Sequence, residues 1–101
     1  MPVKLHVHYG MPTDPAHFER YFVSTHAPLA AKMPGVRAFE YGKTRPGLDG
    51  AQPYTFWIAT LTFDDEDAIG AALASPEGQA TTADIPNYAS GGVTILVSEV
   101  M

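Results

Sequence analysis

The chain has 101 residues, 46% of them hydrophobic and 17% charged, with a net charge of −5 and a pI near 5.1. This length predicts one domain over 1–101, and the high hydrophobicity with few charges excludes a disordered chain. The acidic balance excludes nucleic acid and anionic membrane surfaces as partners, which need clustered Lys and Arg; the lack of cysteine excludes disulfides, thiolate-bound metals and a Cys nucleophile.

Residues 1–9 carry no long apolar run behind a basic start, and no stretch approaches the roughly 20 apolar residues of a membrane span. A cytoplasmic protein without a membrane partner is expected. Residues 3–9 alternate, with Val3, Leu5, Val7 and Tyr9 on one side and Lys4, His6 and His8 on the other, the period of a strand. Gly10, Met11 and Pro12 end it. A helix follows, capped by Thr13 or Asp14, with Pro15 at its first position. Phe18, Phe22, Thr25 or His26, Leu29 and Met33 form its apolar stripe. Pro28 removes a backbone donor inside this segment, so the helix should bend near Ser24 and Thr25 or split in two. Pro34 and Gly35 stop it.

Residues 36–45 read as a second strand, with Arg37, Phe39 and Tyr41 on one face, and 46–53 as a loop. The third strand, 54–63, is aromatic and β-branched and reads as apolar, hence covered, on both faces. The acidic run Asp64, Asp65, Glu66 and Asp67 is a solvated helix start, and this helix runs to about 74. Ser75 and Pro76 open a short helix over 76–83. Residues 85–92 read as irregular and 93–100 as a β-branched last strand.

The order strand, helix, strand, strand, helix, strand predicts an α+β, ferredoxin-like βαββαβ fold with a four-stranded antiparallel sheet and both helices on one face. Because the strands read as apolar on both faces, a second copy is expected to cover the open face through a two-fold contact. The homodimer would then form a dimeric α+β barrel.

The runs His8-Tyr9-Gly10-Met11-Pro12-Thr13-Asp14-Pro15 and His26-Ala27-Pro28-Leu29-Ala30, closing on Lys32-Met33-Pro34-Gly35, resemble the EthD family of dimeric α+β barrel proteins. Ser75-Pro76-Glu77-Gly78-Gln79, Asp84-Ile85-Pro86-Asn87-Tyr88 and Gly91-Gly92-Val93-Thr94 extend the resemblance over nearly the whole chain. The family takes its name from genes accompanying ether degradation. Relatives in the wider superfamily include cofactor-free monooxygenases, polyketide cyclases, dehydratases and muconolactone isomerases, which hold a small ring-shaped substrate between sheet and helices. The resemblance thus implies the barrel dimer and a pocket, while the chemistry must come from the site itself.

His26 is the leading catalytic candidate. It lies four residues after Phe22, on the helix face that packs toward the sheet, and the family resemblance falls on it. An imidazole can take or give a proton near neutral pH. The alternative is a structural histidine bound to a carbonyl freed by Pro28. Tyr9, Tyr21, Phe22, Phe39, Tyr41 and Trp57 are either core residues or an aromatic wall for a ring substrate. Muconolactone isomerase relatives carry a Tyr where this chain has Phe39, which removes a hydroxyl. Arg37 can hold a carboxylate in bidentate fashion or make a surface ion pair. His6 and His8 share a strand face and, with His26, are the raw material of a three-His metal site; hydrogen-bonded strand histidines are the alternative. His17 is expected at the surface. Asp84 reads as a turn cap, with orientation of a histidine from a strand as its other role.

No glycine-rich phosphate loop precedes a helix, and Ser24, near His26, has no glycine-bounded elbow around it. No cofactor and no metal are expected; a haem- or metal-linked relative is the variant to test. The expected function is a cofactor-independent enzyme of small-molecule catabolism or secondary metabolism, of isomerase, cyclase, dehydratase or monooxygenase type. His26 would move the proton of a hydrophobic, ring-containing metabolite. The alternatives are a non-catalytic carrier of a small hydrophobic ligand and an accessory stress protein.

Overall fold

A computed structural model describes residues 1–50 and 53–101. The strands are β1 (Val3–Gly10), β2 (Ala38–Lys43), β3 (Thr55–Phe63) and β4 (Val93–Glu99). The helices are α1 (Pro15–Tyr21), α2 (Ala27–Ala31), α3 (Glu66–Ala74) and α4 (Pro76–Asp84), with a π turn over Phe22–His26 and a 3-10 turn over Ile85–Asn87. The strands form one antiparallel sheet in the order β2-β3-β1-β4. Of the loop expected over 46–53, residues 51 and 52 lie outside the described residues. Among the described residues no helix is long and apolar enough to cross a membrane.

Local chemistry accounts for the helix starts. Asp14 accepts from the His17 amide at 3.1 Å, Asp65 from Ala68 at 2.8 Å, and Ser75 from Gly78 at 3.0 Å, each satisfying a donor that the helix cannot. Gly35 (φ +84°) turns the chain after α2, a backbone angle that favours glycine. Gly78 lets α4 start hard against the end of α3: a Cβ there would meet the Ala72 carbonyl oxygen and the Leu73 Cα.

The alternation in β1 is seen in the burial of its residues. Val3, Leu5, Val7 and Tyr9 are buried toward the helices, and their register partners Phe63, Leu61, Ala59 and Trp57 on β3 share that face. The pairing jumps from Tyr9↔Trp57 to Gly10↔Thr55, so Phe56 is an extra residue. Such a bulge turns neighbouring side chains to one side: Phe56 and Trp57 are both buried and both meet Phe18, with ring centroids 5.3 and 5.5 Å away. Phe18 and Phe22 are wholly buried and with Tyr9 and Tyr88 complete an aromatic core.

The opposite sheet face differs from the expectation of two apolar faces. It carries Lys4, His6 and His8, with Thr62, Thr60 and Ile58 beside them on β3 and Ser98, Leu96 and Thr94 on β4. Apart from Ile58 and Leu96 these are polar. The β-branched residues of β3 reflect strand preference rather than apolarity, and the bulge hides the alternation. A run of exposed apolar residues lies instead along β4, an edge strand: Val93, Ile95, Leu96 and Val97 are 39%, 54%, 50% and 48% exposed. Unpaired apolar edges are templates for association.

Candidate functional site

The site begins with the missing amide of Pro28. The helix accommodates it through the π turn, in which the Ala27 N–H reaches back to the Phe22 carbonyl; single π turns recur at functional sites. The Ser24 hydroxyl donates to the Arg20 carbonyl at 2.6 Å. The segment expected to bend or split therefore runs on as α1, π turn and α2. The turn holds Phe22 and His26 on the buried side, ring centroids 5.2 Å apart, and only 3% of His26 is exposed.

The last residue of α4 meets it there. His26 Nδ1 lies 3.0 Å from Asp84 Oδ2. The other carboxylate oxygen, Oδ1, accepts from the Tyr21 hydroxyl at 2.5 Å and from the Asn87 amide at 2.9 Å. The carboxylate is thus held by the end of α1, the π turn and the 3-10 turn. Burial alone would raise the Asp84 pKa, but the three hydrogen bonds and the nearby imidazole outweigh it and hold the group below its ordinary value. For His26 the balance goes the other way: burial lowers its pKa, against the opposing pull of Asp84. At neutral pH the pair is a carboxylate beside a neutral imidazole. An acceptor at Nδ1 fixes the ring proton on that nitrogen, so Nε2 carries a free lone pair. It has no protein partner among the described residues.

His26 lines a cavity of about 360 Å³ between the sheet and the helices. Leu5, Val7 and Tyr9 of β1, Ala59 and Leu61 of β3, and Phe39 of β2 make its sheet side; Phe22, Ala30, Met33, Leu73, Thr81, Thr82 and Ile85 come from the helical layer, and Ile95 from β4. The Tyr9 hydroxyl is paired with that of Tyr88 at 2.8 Å. Burial pushes the Tyr9 pKa up to about 12 and raises that of Tyr88 further still, so neither phenol ionises near neutrality.

His26, Tyr9, Phe22 and Phe39 of the expected site therefore meet at one cavity. Tyr21 does not line it but bonds Asp84 from behind. Trp57 and Tyr41 pack behind Phe22 with tilted rings, centroids 5.2 and 5.0 Å away; the Trp57 Nε1 is buried there without a partner among the described residues. Arg37, read as either a holder of substrate carboxylate or half of a surface ion pair, makes the ion pair, which corrects its place in the expected site. Its guanidinium makes a bidentate pair with Asp64 at 3.1 and 2.8 Å, both side chains more than 60% exposed, because β2 delivers it to the rim rather than the cavity. Asp84 is a second correction: read as a turn cap, it holds a histidine, and one on a helix rather than a strand. Of the two readings of His6 and His8, a share in a three-His site or hydrogen-bonded strand histidines, the structure has the second, since both occupy the far sheet face, away from His26. His6 bonds Ser98 at 2.7 Å and Thr60 at 3.3 Å, and among the described residues no group of three or more His, Cys, Asp or Glu could hold a metal. His17 is at the surface, as expected. Asn87 was not singled out; its spacing of three from Asp84, across a proline, is the local signal that could have marked it.

Residues 11–92 match the EthD domain family. A relative described as an uncharacterised 11.0 kDa protein in the thcB-thcC intergenic region of Rhodococcus erythropolis is 44% identical over 91 residues, spanning 90% of this chain and 87% of the relative. The crystal structure of an EthD family protein from Bacillus halodurans C-125 superposes with a TM-score of 0.91 at 29% identity, over 100% of both chains. The fold alone recurs in a dimeric ferredoxin-like protein from Thermobifida fusca YX (TM-score 0.76, 18% identity, 99% of this chain and 92% of that one). It recurs too in SnoaB, a cofactor-independent oxygenase from Streptomyces nogalater (TM-score 0.70, 21% identity, 98% and 92%).

Proposed function

This chain belongs to the EthD family, and on that premise we propose that it is a cofactor-independent enzyme that moves a proton on a small ring-containing molecule. The observation that carries this reading is the buried Asp84–His26 pair on the wall of an apolar cavity. His26 Nε2 accepts a proton from an acidic O–H or C–H of the bound molecule. Asp84 keeps the ring in the accepting tautomer and stabilises the imidazolium that forms, the role a carboxylate plays behind a catalytic histidine elsewhere. Tyr21 and Asn87 position Asp84. Phe22, Phe39 and the face of Tyr9 pack on the ring. Proton abstraction of this kind can open an isomerisation, a cyclisation, a dehydration or a reaction with dioxygen. The fold shared with a cofactor-independent oxygenase supports chemistry without a prosthetic group on this scaffold.

The active species is a homodimer. The apolar β4 edge supports this, as does the dimeric state of the Thermobifida fusca neighbour. A second copy along β4 would cover Val93, Ile95 and Val97 and build the shared barrel.

Solvent exchange tests the reaction. Lactones, ring ketones and hydroxylated aromatics that bind the protein are incubated with it in D2O, and deuterium incorporation at carbon is followed by NMR. Wild type should label at least one of them faster than buffer does, and His26→Gln should not. Bound compounds that never exchange faster than in buffer would replace the enzyme with a carrier of small hydrophobic ligands.

A further inference from the structure

The cavity wall restricts the charge of its guest. Of the described residues that line it, only His26 and Tyr9 are ionisable. The Tyr9 phenol is tied to Tyr88, and the Thr81 hydroxyl donates to the Glu77 carbonyl at 2.8 Å. Among the described residues no Lys or Arg lines the cavity. Behind His26 stands Asp84, which is negative and already accepts three hydrogen bonds. An anionic guest would lose its water and meet apolar walls, a neutral imidazole with a carboxylate behind it, and the uncharged hydroxyls of Thr81 and Thr82, with no cation to pair it. Burying an unpaired charge is among the costliest events in a protein interior. A neutral donor instead finds its match in Nε2, an acceptor with no protein partner among the described residues. Volume narrows the choice further. About 360 Å³ is near the lower end of ligand pockets, and Phe22, Phe39 and Tyr9 offer ring surfaces for stacking.

We infer that the cavity takes an uncharged, flat molecule of about two fused rings that presents one hydroxyl or similarly acidic group to His26 Nε2, and that it rejects the carboxylated counterpart. This rests on the proton-transfer reading above and names its substrate class.

Three probes of one shape separate the contributions: 2-naphthol, 2-methylnaphthalene and 2-naphthoate, titrated at neutral pH into the full-length protein and followed by calorimetry. The naphthol should bind most tightly. Losing the donor should weaken the methyl compound about 3- to 10-fold, the worth of one neutral hydrogen bond. The naphthoate should bind about 100-fold or more weakly than the naphthol. Ala59→Leu, which fills the cavity from β3, should abolish naphthol binding while the His26 ring resonances stay in place. Naphthoate binding as tightly as naphthol overturns the inference, and so does a wild-type protein that binds no naphthol. The two readings fail separately. If the affinity order holds but no bound compound exchanges deuterium in a His26-dependent way, the ligand class stands and catalysis falls. If a carboxylated compound exchanges through His26, the base stands and the ligand class falls.

Discussion

Replacing Asp84 by Asn changes almost no volume and separates positioning from packing. The structure dictates how the new amide sits. Oδ1 receives two donors, from Tyr21 and Asn87, and Oδ2 receives one, from His26. The amide oxygen takes the Oδ1 place, because the reverse would set an NH2 against two donors. That leaves the NH2 facing His26 Nδ1. The imidazole must then accept at Nδ1, and its proton moves to Nε2. The nitrogen that faces the guest thereby changes from acceptor to donor. In a hydrolase triad the same exchange lowers turnover about 10⁴-fold, and a loss of that order in the deuterium exchange rate is expected here. Stability changes less: charge-assisted bonds become neutral ones, costing about 2 kcal/mol in total. For a domain of this size that lowers Tm by about 8–16 °C. Long-range 1H–15N spectra of the ring read the tautomer directly, with the proton on Nδ1 in wild type and on Nε2 in Asp84→Asn. A variant that keeps its proton on Nδ1, or exchanges at the wild-type rate, refutes the account of Asp84.

Acid should destabilise the protein in two phases of the same sign. Burial lowers the His26 pKa from its ordinary 6.5, so between the folded value and 6.5 the unfolded chain binds more protons. Stability is then whole above 6.5 and falls as pH drops below it. Asp84, whose pKa is lowered from 3.8, holds its contribution above that value and loses it as pH falls further. Urea midpoints across this range should show both phases in wild type and only the second in His26→Gln; a midpoint flat between neutrality and pH ~5 would contradict the first. Gly78→Ala should strongly destabilise the chain, since its Cβ would overlap the Ala72 carbonyl; a Tm within about 2 °C of wild type would show that α3 and α4 can separate there at little cost. Ile95→Lys together with Val97→Lys should convert a dimer to monomers by light scattering with the far-UV spectrum intact, and a dimer that persists would move the interface off β4.

Much of the fold was legible because its signals are local. Alternation marked β1; Asp14, Asp65 and Ser75 marked helix starts; Pro28 marked the turn that became the π turn. Those effects act within a few residues, so the chain records them in order. The second strand came out shorter than read, Ala38–Lys43, and the far sheet face more polar, because Thr and Ile share a strand preference but not a polarity. His26 was legible from its place beside Phe22 and Pro28. Its partner was not: Asp84 lies 58 positions after His26, and a lone Asp after a helix looks like any turn residue.

The amino-acid order by itself determined the four strands and the helical segments between them, the helix face that is buried, and the lack of any thiol, since periodicity, caps and composition need no third dimension. Only the tertiary structure decided which polar groups meet. Packing α4 across α2 put Asp84 behind His26, the bulge at Phe56 set two aromatics on one face, and the edge position of β4 left its own apolar residues uncovered. Such pairings depend on how separate elements cross, and burial then makes them matter, because a charge or a lone pair out of water must find its partner where the fold has placed one.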